Sequence, residues 1–547
     1  MKILRILGLL IIFAVMNGCE KKKYVDTIVY NAVVYTVNDA FEKTSAFAIK
    51  NGQFVAFGES ESMLQKFGAV NYVDAGGRAI YPGFNDGHSH FIGYGLSVTA
   101  YVDLVGTKSF EEVIEKVKAH HTKYPSEWIY GRGWDQNDWL EKQFPTKEKL
   151  DEAFPDTPVV LRRIDGHALI ANTEAMNRAG ITSQSFIEGG EILKKDGKIT
   201  GIFIDNAMDL VEAVIPEPTN EQLVRAVKKG QEDCFKVGLT TVTDAGLSKD
   251  RILLIQQLQE EGLLDIRVYA MISPDPENID YFFSRGPHKT DKLAVSSVKL
   301  YIDGALGSRG ALLIKPYSDD PGNYGLQLSP EMYYNEICQQ AYDAGFQVNT
   351  HAIGDSGNRI MLRTYANFLG GKNDLRWRVE HAQIVDPDDM EYFSKYNIIP
   401  SIQSTHCTSD MYWADERLGE ERIKHAYAYQ DLLDQNGWMI NGTDFPVEDI
   451  SPIKTFYAAV VRKDTEGWPE GGFQMENAIS REDALRSITI WPAKGSFEET
   501  FKGSIEPGKV ADFVILEHDI MQIDEDEMLN TSVFATYLDG KEVYKAN

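Results

Sequence analysis

Two kinds of hydrophobic pattern divide the chain. Near the ends lie short β-rich runs, Thr27 to Val37 (TIVYNAVVYTV) and Ala46 to Gly58 (AFAIKNGQFVAFG, with an Asn51-Gly52 turn) on one side, Gly503 to Leu516 and Thr531 to Tyr544 on the other. Each end is too short to bury a core alone. This predicts one small composite β-sandwich from residues 19–79 and 502–547, with residues 80–501 inserted between its halves. In that middle segment apolar runs alternate with amphipathic stretches such as Glu331 to Ala344 and Asn358 to Leu369. Candidate strands are Ile80 to Phe84 (leading into His88), Thr240 to Asp244, Ile266 to Ile272, Ser297 to Asp303, Gln347 to His351, Trp377 to His381, Ile398 to Gln403 and Trp438 to Asp444. Eight strands with intervening helices, and no Gly-rich phosphate turn after an early strand, favour an α/β fold of the (β/α)8 TIM-like type over an open doubly wound sheet.

The stretch from about residue 103 to 238 is too long for an ordinary strand-to-helix connection. It carries its own signals, GRGWDQNDW at Gly131 to Trp139, VVLRRIDGHALIAN at Val159 to Asn172 and GGEILKKDGKITG at Gly189 to Gly201. It is predicted to be an insertion covering the barrel mouth.

Composition narrows the partners. A formal charge of −27 has the wrong sign for a phosphate backbone, which excludes nucleic acid as a partner and leaves a small molecule. Lys2 and Arg5 ahead of the apolar run Ile6 to Met16 have the layout of a secretory signal over residues 1–18. Cys19 after Asn17 and Gly18 resembles a bacterial lipobox, which implies a lipid on Cys19 and a cell-envelope location, periplasmic or surface-facing; the alternative is a plain secreted chain. Cys234, Cys338 and Cys407 form no C-x-x-C pair and are read as free thiols.

The chemistry begins at His88-Ser89-His90, since residues two apart on an extended backbone project to the same side and two imidazoles can grip one metal. His351, His381 and Asp444 each close a hydrophobic run at its carboxyl end, where barrel enzymes assemble their sites. Lys299 sits inside a strand expected to be buried, where an ammonium must be paired or neutralised. Two readings stay open for it: a carbamate formed with carbon dioxide, able to bridge two cations, or an ion pair with a neighbour such as Asp303.

His88, His90, Lys299, His351, His381 and Asp444, in this order, resemble the binuclear ligand set of the amidohydrolase superfamily. With PGFNDGHSH, GRGWDQNDW, RRIDGHALIAN, VKLYIDGALGSRGA, HAIGD, RVEHAQ, NGTDFPV, WPAKGS and KGSIEPGKVADFVIL, the chain is similar to the YtcJ-like amidohydrolases, which include N-substituted formamide deformylases. The resemblance implies that His88, His90 and Asp444 hold the more buried metal, that carbamylated Lys299 bridges, and that His351 and His381 hold the second. Zinc suits so many imidazoles, with manganese, iron or cobalt, and a single-metal site, as alternatives. Two cations sharing a water would supply hydroxide near neutral pH, with Asp444 as ligand and proton carrier in hydrolysis of an N-acyl or N-formyl amine or a cyclic amide. An esterase or lactonase on the same site, and a non-catalytic solute-binding lipoprotein, are the competing readings. His167 is read as touching substrate or as a structural histidine, and Arg132, Trp134 and Asp135 as pocket wall or as packing. The resemblance draws His406, Asp410 and Arg422 to the mouth. A homodimer is one assembly state left open.

Overall fold

The computed structural model describes residues 22–546, so Cys19 and the leader of residues 1–18 lie outside the described residues. The two chain ends meet in one small body. Strands Lys23–Tyr30, Ala46–Lys50, Gln53–Gly58 and Phe67–Asp74 form a four-stranded sheet, while Phe513–Leu516, Val533–Leu538 and Lys541–Lys545 join Ala79–Pro82 and Val33–Tyr35 in a second. Val29, Phe47 and Phe54 from the first sheet and Ile80, Phe513 and Ile515 from the second share one apolar core. The Asn51-Gly52 turn is realised with positive φ at both residues.

Between these ends eight parallel strands curl into a nearly closed barrel: β1 (Phe84–Ser89), β2 (Leu239–Leu247), β3 (Arg267–Ile272), β4 (Leu293–Tyr301), β5 (Gln347–Ala352), β6 (Arg378–His381), β7 (Ile399–Ile402) and β8 (Ile440–Asn441). Each pairs with the next in sequence, as expected when every crossover carries its own helices. The strands are buried along most of their length because the barrel interior covers one face and the helices the other. Helix Glu331–Ala344 shows how the outer layer is held: Tyr334, Ile337, Cys338 and Ala341 recur at helical spacing and are buried, and the helix stops at Gly345 in the left-handed region. Cys234, Cys338 and Cys407 are all buried free thiols.

One expected strand proves to be two. Ala79–Pro82 pairs with Phe513–Leu516 in the end sheet, and the chain then crosses into the barrel, where Phe84 N donates to Gly238 O at 3.0 Å. A single apolar run serves two sheets, and hydrophobicity alone does not mark the switch.

The insertion has its own six-stranded sheet, ordered Gly190–Lys195, Lys198–Asp205, Ala168–Ala171, Val159–Arg163, Ile129–Trp134, Val102–Asp103. Strict alternation splits its side chains between two cores. Val159, Leu161, Ile170 and Ile204 face helix Phe110–Lys123, whereas Val160, Leu169 and Phe203 pack on the opposite face with Met208. Among the described residues no helix is long and apolar enough to cross a membrane.

Candidate active site and metal centre

Register brings the polar residues to one level. Tyr301 of β4 pairs with His351 of β5, His351 with Glu380, and Ala352 with His381 of β6. The ends of β1 and β8 are stitched together by Asp444 N donating to His88 O and His90 N to Phe445 O, both at 2.8 Å. Buried Asp86 accepts from Thr443 Oγ1 at 2.7 Å and from the amides of His88 and Thr443 at 3.1 Å. Gly442 makes this approach possible, since a Cβ there would collide with the backbone nitrogen of His88. His381 (φ 73°) and Asp444 (φ 61°) hold left-handed backbones that non-glycine residues adopt at a cost, as is common where function requires a fixed side-chain direction.

All six residues of the expected ligand set line one cavity of about 720 Å³. Donor atoms of His88, His381 and Asp444 lie within 4.8 Å of one another, and all three residues are buried. His90 Nε2 stands 3.2 Å from Asp444 Oδ1, and the ring centroids of His351 and His381 are 4.5 Å apart. His381 Nδ1 and Asp444 Oδ1 are buried with no hydrogen-bond partner. Buried atoms of this kind ordinarily find one, and an imidazole nitrogen and a carboxylate oxygen left unpartnered in one buried cluster fit a cation. Burial holds the imidazoles of His351 and His381 well below their ordinary pKa, keeping them neutral as ligands must be. Burial also opposes the Asp444 charge, but His406, His90 and His88 outweigh it and hold the carboxyl well below its usual range.

Lys299 is buried with no carboxylate within 4.0 Å among the described residues; its Nζ stands 3.4 Å from His88 Nε2. The alternative pairing with Asp303 does not form. Asp303 is spent on the amides of Leu312, Ile353 and Gly354 at 2.8, 3.0 and 2.8 Å, fixing the loop after β5. Burial lowers the Lys299 ammonium to about 8 even though Glu380 and Asp444 favour its charge.

Glu380 is the main group that sequence reasoning missed. Its Oε2 accepts from His88 Nδ1 at 2.5 Å and from Ser401 Oγ at 2.7 Å, with both imidazole and carboxylate fully buried. This fixes the tautomer that leaves His88 Nε2 free to ligate. The available signal was a Glu inside a strand with no room for water, a position that demands a specific partner.

The insertion supplies the cavity roof. His167 lines it, its Nδ1 donating to Asp205 at 2.7 Å, and its ring centroid is 4.8 Å from that of His351. Burial disfavours the charged imidazole, but Asp205 outweighs this and raises its pKa. Arg132 and Asp135 also line the cavity, Asp135 ion-paired with Arg163. So do His406, which joins Asp444 Oδ2 at 3.3 Å to Glu448 at 3.0 Å, and Asp410, which accepts from the Tyr427 hydroxyl at 2.7 Å. Two expectations are corrected. Trp134 is not pocket wall: it is wholly buried in the insertion core, its indole N–H donating to Leu161 O at 2.8 Å. Arg422 does not reach the cavity either; its guanidinium is consumed by the carbonyls of Leu418, Lys315 and Pro316 at 2.7–2.8 Å, clamping the 315–318 loop.

The chain has relatives among known proteins and solved structures. The chain is 32% identical over 538 residues to the protein LONG AFTER FAR-RED 3 of Arabidopsis thaliana, covering 95% of this chain and 91% of that one. It is 25% identical to the N-substituted formamide deformylase of Arthrobacter pascens, covering 94% and 97%. The crystal structure of an uncharacterized metal-dependent hydrolase from Pyrococcus horikoshii superposes with a TM-score of 0.75 at 30% identity, covering 91% of this chain and 99% of that chain. The profile of the amidohydrolase family matches residues 71–544, and the chain belongs to that family.

Proposed function

We propose that the protein hydrolyses a C–N amide-type bond in a small molecule, an N-acyl or N-formyl amine or a cyclic amide. The observation that carries this is the convergence of His88, His381 and Asp444 donor atoms at one cavity, with Asp444 Oδ1 and His381 Nδ1 buried and unpartnered. The named activity of the Arthrobacter relative, a formamide deformylase, supports the bond class.

His88, His90, His351, His381 and Asp444, with carbamylated Lys299, would hold one or two divalent metal ions, zinc by ligand preference. When bound, the metal supplies Lewis acidity and an activated water. The chain does the rest. Asp444 stands among four imidazoles and is the group placed to take the proton released on attack and pass it to the departing nitrogen. His167, with Nδ1 committed to Asp205, presents Nε2 to the cavity as a donor for the substrate carbonyl oxygen. The buried amine of Lys299, neutral more readily than an exposed lysine, can add to carbon dioxide, forming the N–C bond and releasing one proton. We also propose a cell-envelope location through a lipid on Cys19, on the leader sequence alone. Metal analysis with a panel of formamides, N-acyl amines, hydantoin-like rings, esters and lactones tests the reading. Amide turnover that is lost in Asp444→Asn is expected; a metal-free protein, or one acting on esters alone, would overturn it.

A further inference from the structure

We infer that Arg132 forms an anion subsite in the active cavity and selects substrates that carry a carboxylate. This rests on the amide-hydrolase reading above and narrows it to carboxylate-bearing N-acylated amines.

The charge pattern of the cavity wall singles Arg132 out. Three long cationic side chains line it: Arg132, Arg163 and Lys299. Arg163 is neutralised by Asp135 and Asp165 and donates further to Gln136 Oε1 at 2.8 Å. Lys299 belongs to the metal centre, beside His88. Arg132 has no carboxylate within 4.0 Å among the described residues. It makes one hydrogen bond, Nη2 to Ile164 O at 2.9 Å, and its Nε is buried without a partner. The side chain is half-buried, and a buried Nε donor left without a partner is costly; such a group persists where a ligand completes it.

Its neighbours worsen the cost. Across the parallel register Arg132 lies opposite Arg162 on one side and Asp103 on the other. Arg162 adds a like charge and has its own carboxylate in Glu212, 3.6 Å away. Asp103 does not answer Arg132: it is exposed, and its Oδ1 accepts from the amide of Val105 at 3.1 Å. Burial, then Arg162, pulls the Arg132 pKa down to about 10. Of the other acidic groups on the wall, Glu448 faces His406, Asp410 accepts from Tyr427, Asp449 pairs with Lys454 and Asp138 is exposed; among the described residues none lies within 4.0 Å of the Arg132 guanidinium.

The position suits a substrate clamp. The carbonyl that anchors Arg132 belongs to Ile164, in the same turn that carries His167, whose ring lies 4.8 Å from that of His351. An anion on the guanidinium is thus held on the wall that also presents the donor for the reacting carbonyl. A planar guanidinium matches a carboxylate with two parallel N–H donors, which an ammonium does not reproduce.

The test compares N-acetylated amino acids with their carboxamides on the metal-reconstituted enzyme, by calorimetric dissociation constants and by turnover, for wild type, Arg132→Met and Arg132→Lys. The carboxylates are expected to bind about 10- to 100-fold more tightly than the carboxamides, the range of one charge-assisted contact. Arg132→Met should erase that ratio, the carboxylates losing about 10- to 100-fold more than the carboxamides and losing it in KM rather than kcat, and Arg132→Lys should restore only part of it. Equal binding of the two series by wild type, binding of neither, or a ratio unchanged in Arg132→Met overturns the subsite. Hydrolysis of neutral formamides in the same assay shows that the amide-hydrolase reading survives such a failure. Absence of turnover on every amide, with carboxylate selectivity intact, would instead overturn the amide-hydrolase reading and leave the anion subsite standing.

Discussion

Replacing Glu380 with Gln should weaken metal binding without touching a single ligand. The carboxylate lies 2.5 Å from His88 Nδ1 and 2.7 Å from Ser401 Oγ, and neither it nor the imidazole is exposed, so solvent does not screen the contact. Gln keeps an amide oxygen that can accept from Nδ1–H but removes the charge that makes His88 a stronger donor through Nε2. Carboxylates that orient metal-bound histidines typically contribute about 10- to 100-fold in metal affinity, or roughly 1.4–2.7 kcal/mol. Titration of metal-free protein against a chromophoric chelator measures this directly, with a thermal melt of the metal-free forms to separate affinity from stability. An affinity within about twofold of wild type would refute the role given to Glu380.

Other outcomes follow from particular contacts. If the Lys299 amine titrates at about 8, roughly a tenth is neutral at pH 7, against about one part in three thousand for an ordinary lysine. At fixed dissolved carbon dioxide the rate of carbamate formation, followed by isotope-edited NMR, should therefore climb steeply from pH 6 to 8 and flatten above about 9; a flat profile across that range contradicts a neutral-amine route. Gly304→Ala would drive a Cβ into Asp205 Oδ2, forcing the carboxylate away from His167; a loss of about 1–3 kcal/mol in urea unfolding together with a fall in kcat is expected. Trp134→Ala removes a fully buried indole from the insertion core and should cost about 3–5 kcal/mol locally, read as faster hydrogen exchange in strand Val159–Arg163, with metal affinity unchanged.

Much of the fold and of the ligand set is legible in the sequence. The barrel strands announce themselves as apolar runs capped by His351, His381 and Asp444, because a strand buried on both faces has no polar face to disguise it. The helix Glu331–Ala344 is readable to the residue from its apolar spacing. Partnerships are less accessible. Glu380 meets His88 across 292 positions, and the choice of Asp303 for backbone amides rather than Lys299 depends on how a loop folds back. Arg422 and Trp134 have the composition of a binding wall, yet one is satisfied by carbonyls and the other by a core. Residue type alone does not distinguish a free donor from a spent one.

Metal ions should sit where these side chains converge, and anomalous diffraction from crystals of metal-loaded protein tests this most directly. Density is expected bonded to His88, His381 and Asp444 in the cavity between β1, β6 and β8, with His90 beside it. Ions bound elsewhere, or a fully loaded protein whose Asp444 and His381 remain unliganded, would contradict the assignment.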